Sequence, residues 1–107
     1  MDKRKVLYLK LNRKEPLKDW LKSLDKIVAK RILQRLIRIE EGNLGDFKKI
    51  DDEISELRFM FGPGYRIYYT EINNVILLLI NGGNKSTQSK DIVKAKELLE
   101  QWRQEND

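Results

Sequence analysis

Residues Lys5 to Leu11 alternate, with Val6, Tyr8 and Lys10 toward one side and Leu7, Leu9 and Leu11 toward the other, the period of a strand. Asn12 stands three residues before Glu15, a capping-box spacing, and Pro16 falls in the first turn of the segment that follows. Leu17, Trp20, Leu21 and Leu24 recur at i, i+3, i+4 and i+7, one apolar face of a short helix. Asp25 is placed to cap a second helix running to about Glu41. Its apolar stripe is Val28, Ala29, Ile32, Leu33, Leu36 and Ile39, with Lys30, Arg31, Arg35 and Arg38 on the remaining surface and Gly42 as a stop.

From there the period changes to two. Ile54 to Phe61 reads as a strand, Gly62 to Gly64 as a turn, Tyr65 to Glu71 as a strand, and Val75 to Ile80 as another. Asn73 and Asn74 tolerate the positive φ of a tight hairpin. Val75 to Ile80 is apolar on both faces, which predicts a central, fully covered strand. Gly82 and Gly83 are expected to end it, and Ile92, Ala95, Leu98, Leu99 and Trp102 mark a third helix from about Ser89 to Gln104. The order is βααβββα, an α+β fold with an antiparallel sheet packed with helices, expected as one domain over residues 1–107.

Composition narrows the chemistry. The 107 residues contain no Cys and no His, which removes disulfides, thiolate nucleophiles, the usual general base near neutral pH and the commonest metal ligands. No metal site is expected at the acidic run Asp51, Asp52 and Glu53, and no cofactor motif is present. The apolar run Val75 to Ile80 is far short of a membrane span, and the charged N-terminal segment lacks a signal-peptide core, so a cytoplasmic protein is expected. Charge is unevenly spread: residues 1–50 carry 15 Lys plus Arg against 7 Asp plus Glu, and residues 51–107 carry 7 against 10. A basic half favours a polyanionic partner, nucleic acid or an acidic protein segment, although a solvated lysine-rich surface gives the same count.

Alternation places Leu57, Phe59 and Phe61 on one face of their strand and Glu56 and Arg58 on the other. On the next strand Tyr65, Ile67 and Tyr69 share a face, and Arg66 and Tyr68 the opposite one. A hairpin about Gly62 to Gly64 then brings Arg58 beside Arg66 on the non-core face, with Lys85 arriving at the end of the following strand. Three cations, Tyr68 and Glu56 around one shallow site would suit a phosphate. The competing reading is a ladder of opposite charges, with Arg58 beside Glu56 and Arg66 beside Glu71 or Asp51. Arg31, Arg35 and Arg38 read first as a solvated helix face, and Trp20 and Trp102 as core.

The segments Ser55 to Thr70 (SELRFMFGPGYRIYYT) and Leu77 to Trp102 (LLLINGGNKSTQSKDIVKAKELLEQW) resemble the killer-protein branch of the RelE/HigB toxin superfamily. Asp19 to Leu24 and Glu41 to Ile50 match its upstream segments, so the likeness covers about residues 5–103. It implies a βααβββα toxin of a type II toxin–antitoxin pair, with a cognate antitoxin as partner. It also implies, for many members, metal-independent cleavage of mRNA on the ribosome by attack of the ribose 2′-hydroxyl on the adjacent phosphorus. Carried over by position, Arg66 matches the strand arginine that contacts the scissile phosphate and Lys85 the next basic position, while Arg58 falls near the basic strand residues with an offset. Lys48 and Lys49 are implied RNA contacts, together with Arg31 and Arg35 of the basic helix, and Lys48 is a candidate base.

Where ribosome-dependent members place Tyr or His near the start of the last helix, this chain has Asp91. That carboxylate can move a proton or simply sit at a helix N-terminus and pair with Lys85. Glu56 is the other candidate acid or base, and it can equally hold Arg58 in place. Two further readings stay open on the same fold: a non-catalytic ParE-like toxin acting on DNA gyrase, and an antitoxin-binding module without toxicity.

Overall fold

The computed structural model describes residues 3–106. Strand β1 (Lys5–Tyr8) leads to helices α1 (Pro16–Ser23) and α2 (Lys26–Glu40). Strands β2 (Phe47–Lys49), β3 (Ser55–Phe59), β4 (Tyr65–Ile72) and β5 (Ile76–Asn84) follow, then a 3-10 turn over Lys85–Thr87 and helix α3 (Gln88–Glu105). The strands form one sheet in the order β1-β5-β4-β3-β2. The fold is α+β, as the hydrophobic pattern predicts.

Several details depart from that pattern. The sheet is mixed, because β1 pairs in parallel with β5 while every other pair is antiparallel. The middle strand is β4, and the apolar β5 is interior beside it, with Leu77, Leu78, Leu79 and Ile80 all buried. Asn12 caps no helix: Asn12 and Arg13 both take positive φ in a tight turn closed by the Leu11–Lys14 bridge, and α1 starts at Pro16 with Glu15 before it. Local turn geometry takes the asparagine that the spacing offered to the helix. Asp25 does cap α2, its carboxylate accepting from the Ile27 N–H at 3.0 Å. Asn73 and Asn74, at φ 54° and 58°, make the β4–β5 hairpin. The added strand β2 is three exposed residues with no apolar alternation, so periodicity has nothing to detect there.

Helices cover both faces of the sheet. On one side α1 and α2 close over Leu57, Phe59, Ile67, Tyr69, Leu77 and Leu79 through Leu17, Leu21, Ile32, Leu36 and Ile39. On the other, α3 packs Ala95, Leu98 and Leu99 onto Ile54, Tyr68, Leu78 and Ile80. The face expected to lie outside the core is therefore a second core, and its polar residues sit at that core's margin. Trp20 and Trp102 are partly buried against the first and second core respectively.

Gly82 and Gly83 lie within β5 and do not end it. A bulge opposite Tyr68 and Tyr69 inserts Ile80, so Asn81 and Gly83 face α3 while Gly82 faces α1. A Cβ on Gly82 would stand 2.3 Å from the Trp20 ring, and one on Gly83 would stand 1.8 Å from Asp91 Oδ2. The pair permits close packing from both sides. No described helix is long and apolar enough to cross a membrane.

Candidate functional site

Strand register builds a polar strip on the α3 side of the sheet. Arg58 lies directly opposite Arg66, which lies opposite Gly83. One step along, Lys48, Glu56, Tyr68 and Asn81 form a row across four strands. Like charges directly opposite one another repel, and each arginine here has its own carboxylate. Arg58 Nη2 is 3.1 Å from Asp46 Oδ1, and Arg66 Nε is 3.4 Å from Glu56 Oε2. The second pair is enclosed, with Glu56 only 1% exposed and Arg66 8%. These partners differ from the ladder considered above: Glu71 holds Arg4 at 2.9 Å and Asp51 holds Lys96 at 2.7 Å.

Two hydrogen bonds fix the inner pair. Gln88, the first residue of α3, donates its Nε2–H to Glu56 Oε1 at 2.8 Å, and Arg66 Nη1 donates to the Gly64 carbonyl at 2.8 Å. Gly64, at φ 77°, takes a conformation L side chains rarely adopt, and a Cβ there would stand 3.2 Å from Arg66 Nη1 and 3.5 Å from Lys85 Cβ. The Arg66 guanidinium and the stem of Lys85 thus both border the turn glycine, and Lys85 is exposed on the 3-10 turn. Tyr68 Oη is buried with no hydrogen-bond partner among the described residues, and burial, then the Glu56 and Asp91 carboxylates, push its hydroxyl pKa well up.

The start of α3 is an ordered clasp. Asn84 accepts from the Ser86 N–H at 2.9 Å, and its own N–H donates to Thr87 Oγ1 at 3.2 Å. The Thr87 hydroxyl donates to Asp91 Oδ2, and Asn81 Nδ2 donates to the Asp91 carbonyl at 3.1 Å. The Asp91 carboxylate is thereby committed to Thr87, in the space that a side chain at Gly83 would occupy. Among the described residues it makes no ion pair with Lys85, the pairing its position at the helix start suggested.

The other candidate residues separate. Lys48 shares the face of Glu56, whereas Lys49 by alternation points to the opposite one and lies 3.9 Å from Asp52. Arg31 and Arg35 are on α2, across the sheet from Arg66. Arg31 stacks on the Phe61 ring at 4.0 Å. Arg35 donates to the carbonyls of Leu44 (3.1 Å), Asp46 and Arg58, and burial lowers its pKa. It ties the segment before β2 to the end of β3. With Gln34, Arg38, Phe59, Met60 and Phe61, these two arginines line a pocket of about 320 Å³.

Four cations (Lys48, Arg58, Arg66 and Lys85) thus share the α3-side margin with the carboxylates of Asp46, Glu56 and Asp91. The partners Asp46, Gln88 and Thr87 escape sequence reading, since each is an ordinary surface residue type with no periodic signal. Among the described residues no group of three acidic side chains is arranged to hold a metal ion.

Residues 19–100 match the profile of a family described as phage derived protein Gp49-like (DUF891), which is associated with addiction-module killer proteins. A relative from Haemophilus influenzae strain Rd, carrying the name "Uncharacterized protein", is 46% identical over 83 residues, which is 77% of this chain and 84% of its own. The matched span takes in every residue of the polar strip.

Proposed function

We propose, starting from the fact that the chain belongs to the Gp49-like family, that it is the toxin of a toxin–antitoxin pair and acts as a metal-independent, ribosome-dependent mRNA endoribonuclease. One observation carries the reading. Two arginines stand in direct register, one of them enclosed and fixed by Glu56 and Gly64, with the stem of Lys85 at the same turn glycine and Lys48 on the same face. Guanidinium forks match phosphate oxygens, and a fixed cation cluster stabilises the charge that develops on a five-coordinate phosphorus.

In this reading Arg58, Arg66 and Lys85 hold the scissile phosphate, and Lys48 steadies the adjoining backbone. The ribose 2′-oxygen attacks phosphorus as the bond to the 5′-oxygen breaks. The products are a 2′,3′-cyclic phosphate and a 5′-hydroxyl. One proton leaves the 2′-hydroxyl and one reaches the 5′-oxygen, and on this face Glu56, Lys48 and Lys85 can carry them. Because the substrate supplies its own nucleophile, a chain without His or Cys can do this by orientation and charge.

The test is primer extension on a message in a reconstituted translation reaction, with the wild type, Arg66→Ala and a ribosome-free control. New 5′ ends that require both ribosomes and Arg66 are expected. The clasping of Asp91 by Thr87 favours a second reading, a ParE-like toxin of DNA gyrase. Growth arrest without any cleavage would select it.

A further inference from the structure

Helices α1 and α2 leave a groove between them, about 410 Å³, lined by Leu21, Leu24, Ala29 and Leu33 with Lys22, Lys26 and Lys30 around it. Leu33 is 41% exposed, and Ile37, one turn further along α2, is 59% exposed. Ala29, Leu33 and Ile37 recur at i, i+4 and i+8, so the apolar floor continues along α2 for roughly 12 Å. That row slants across the helix and flanks the buried stripe of Ile32, Leu36 and Ile39. It lies on the opposite side of the sheet from Arg66 and Glu56. Among the described residues no acidic side chain lines the groove, and Glu40 stands beyond Ile37 at the far end of α2.

We infer that this groove is a docking site for an amphipathic, acidic helix of a partner protein. The apolar seam takes the helix's leucine-type positions, and the three lysines meet Asp and Glu on its flanks. A second copy of this chain paired groove to groove does not fit, because that would bring two lysine rims together. Assigning that partner to the antitoxin rests on the toxin reading; the groove and its preference do not.

The test titrates the full-length protein, labelled for amide NMR, with a helical peptide of about 21 residues. The peptide carries Leu at the first and fourth heptad positions and Glu on its flanks, and a twin carries Lys in place of Glu. The acidic peptide is expected to shift the resonances of Leu21, Leu24, Leu33 and Ile37. Leu33→Glu should weaken binding by at least about tenfold with the thermal melt unchanged, and the Lys twin should bind at least about tenfold more weakly. Four results would overturn the inference. They are shifts confined to the Arg58, Arg66 and Lys85 margin; equal binding of both peptides; self-association in sedimentation that Leu33→Glu abolishes; and binding to phosphatidylglycerol vesicles without binding to the acidic peptide. Growth arrest on expression separates the two claims. Arrest retained by Leu33→Glu with peptide binding lost supports both, whereas groove binding by a protein that never arrests growth overturns only the toxin reading.

Discussion

At the level of single residues, enclosure separates side chains that the sequence makes look equivalent. Arg58 and Arg66 are neighbours in register, yet Arg58 reaches Asp46 at the strip's edge while Arg66 is sealed against Glu56. Replacing Arg66 with Ala should abolish growth arrest, and Glu56→Gln, which keeps an acceptor for Gln88 but removes the charge beside Arg66, should weaken it. Circular dichroism should show both variants folded, and a fully toxic Arg66→Ala protein would remove that residue from the site. Gly83→Ala forces a Cβ onto the Asp91 carboxylate and the Thr87 hydroxyl, and it should cost about 1–3 kcal/mol in urea unfolding, by overpacking. Asp51 supplies a pH signature. Its hydrogen bond from Lys96, and then the backbone N–H groups of Ile54 and Glu53, hold its carboxyl at about 2. The folded value is depressed, so the stabilisation is complete above the unfolded carboxylate range, near 4, and fades as pH falls toward about 2. Thermal melts of Asp51→Asn should lose that part of the acid dependence, and an unchanged profile would contradict the assignment.

At the level of elements, alternation along β3 and β4 was readable because one set of side chains is apolar throughout. Leu57, Phe59, Ile67 and Tyr69 do share a core face, and Glu56, Arg58, Arg66 and Tyr68 share the other. What alternation could not show is the bulge in β5. One extra residue shifts the phase, so that Asn81 and Gly83 turn toward α3. The short β2 was illegible for a different reason, since its residues are all exposed and it is a strand only because β3 pairs with it. Arg35 belongs to the same region. Its side chain donates to three carbonyls, of which Asp46's also accepts the Arg58 backbone N–H. Arg35→Met should keep most of the packing but lose those bonds, lowering stability by about 2–4 kcal/mol in chemical denaturation.

On the scale of the molecule, the two faces of the sheet carry different surfaces. The α3 side ends in the cation strip, and the α1–α2 side carries the lysine-rimmed groove and the arginine pocket beside Phe61. The basic first half of the chain therefore supplies little of the strip: Lys48 comes from it, while Arg58, Arg66 and Lys85 come from the acidic second half. Under the proposed activity, ribosome association should fall steeply with salt, and neutralising Arg58 should flatten the log–log slope by about 1. Sedimentation with ribosomes across a salt series measures this.

The order of the helices and of every strand but β2, the faces of β3 and β4, the Asn73–Asn74 hairpin and the register that sets Arg58 beside Arg66 follow from the sequence alone. Each depends on contacts between near neighbours or on the simple periods of helix and strand. The parallel pairing of β1 with β5, the second core under α3, the Glu56–Arg66 pairing and the clasp of Asp91 were decided only by the tertiary structure. The first two join segments far apart in the chain, whereas the last two choose among near neighbours, and the physical reason for those pairings is burial. A charge or carboxylate enclosed beneath α3 must find its partner among the groups that the folded chain delivers there.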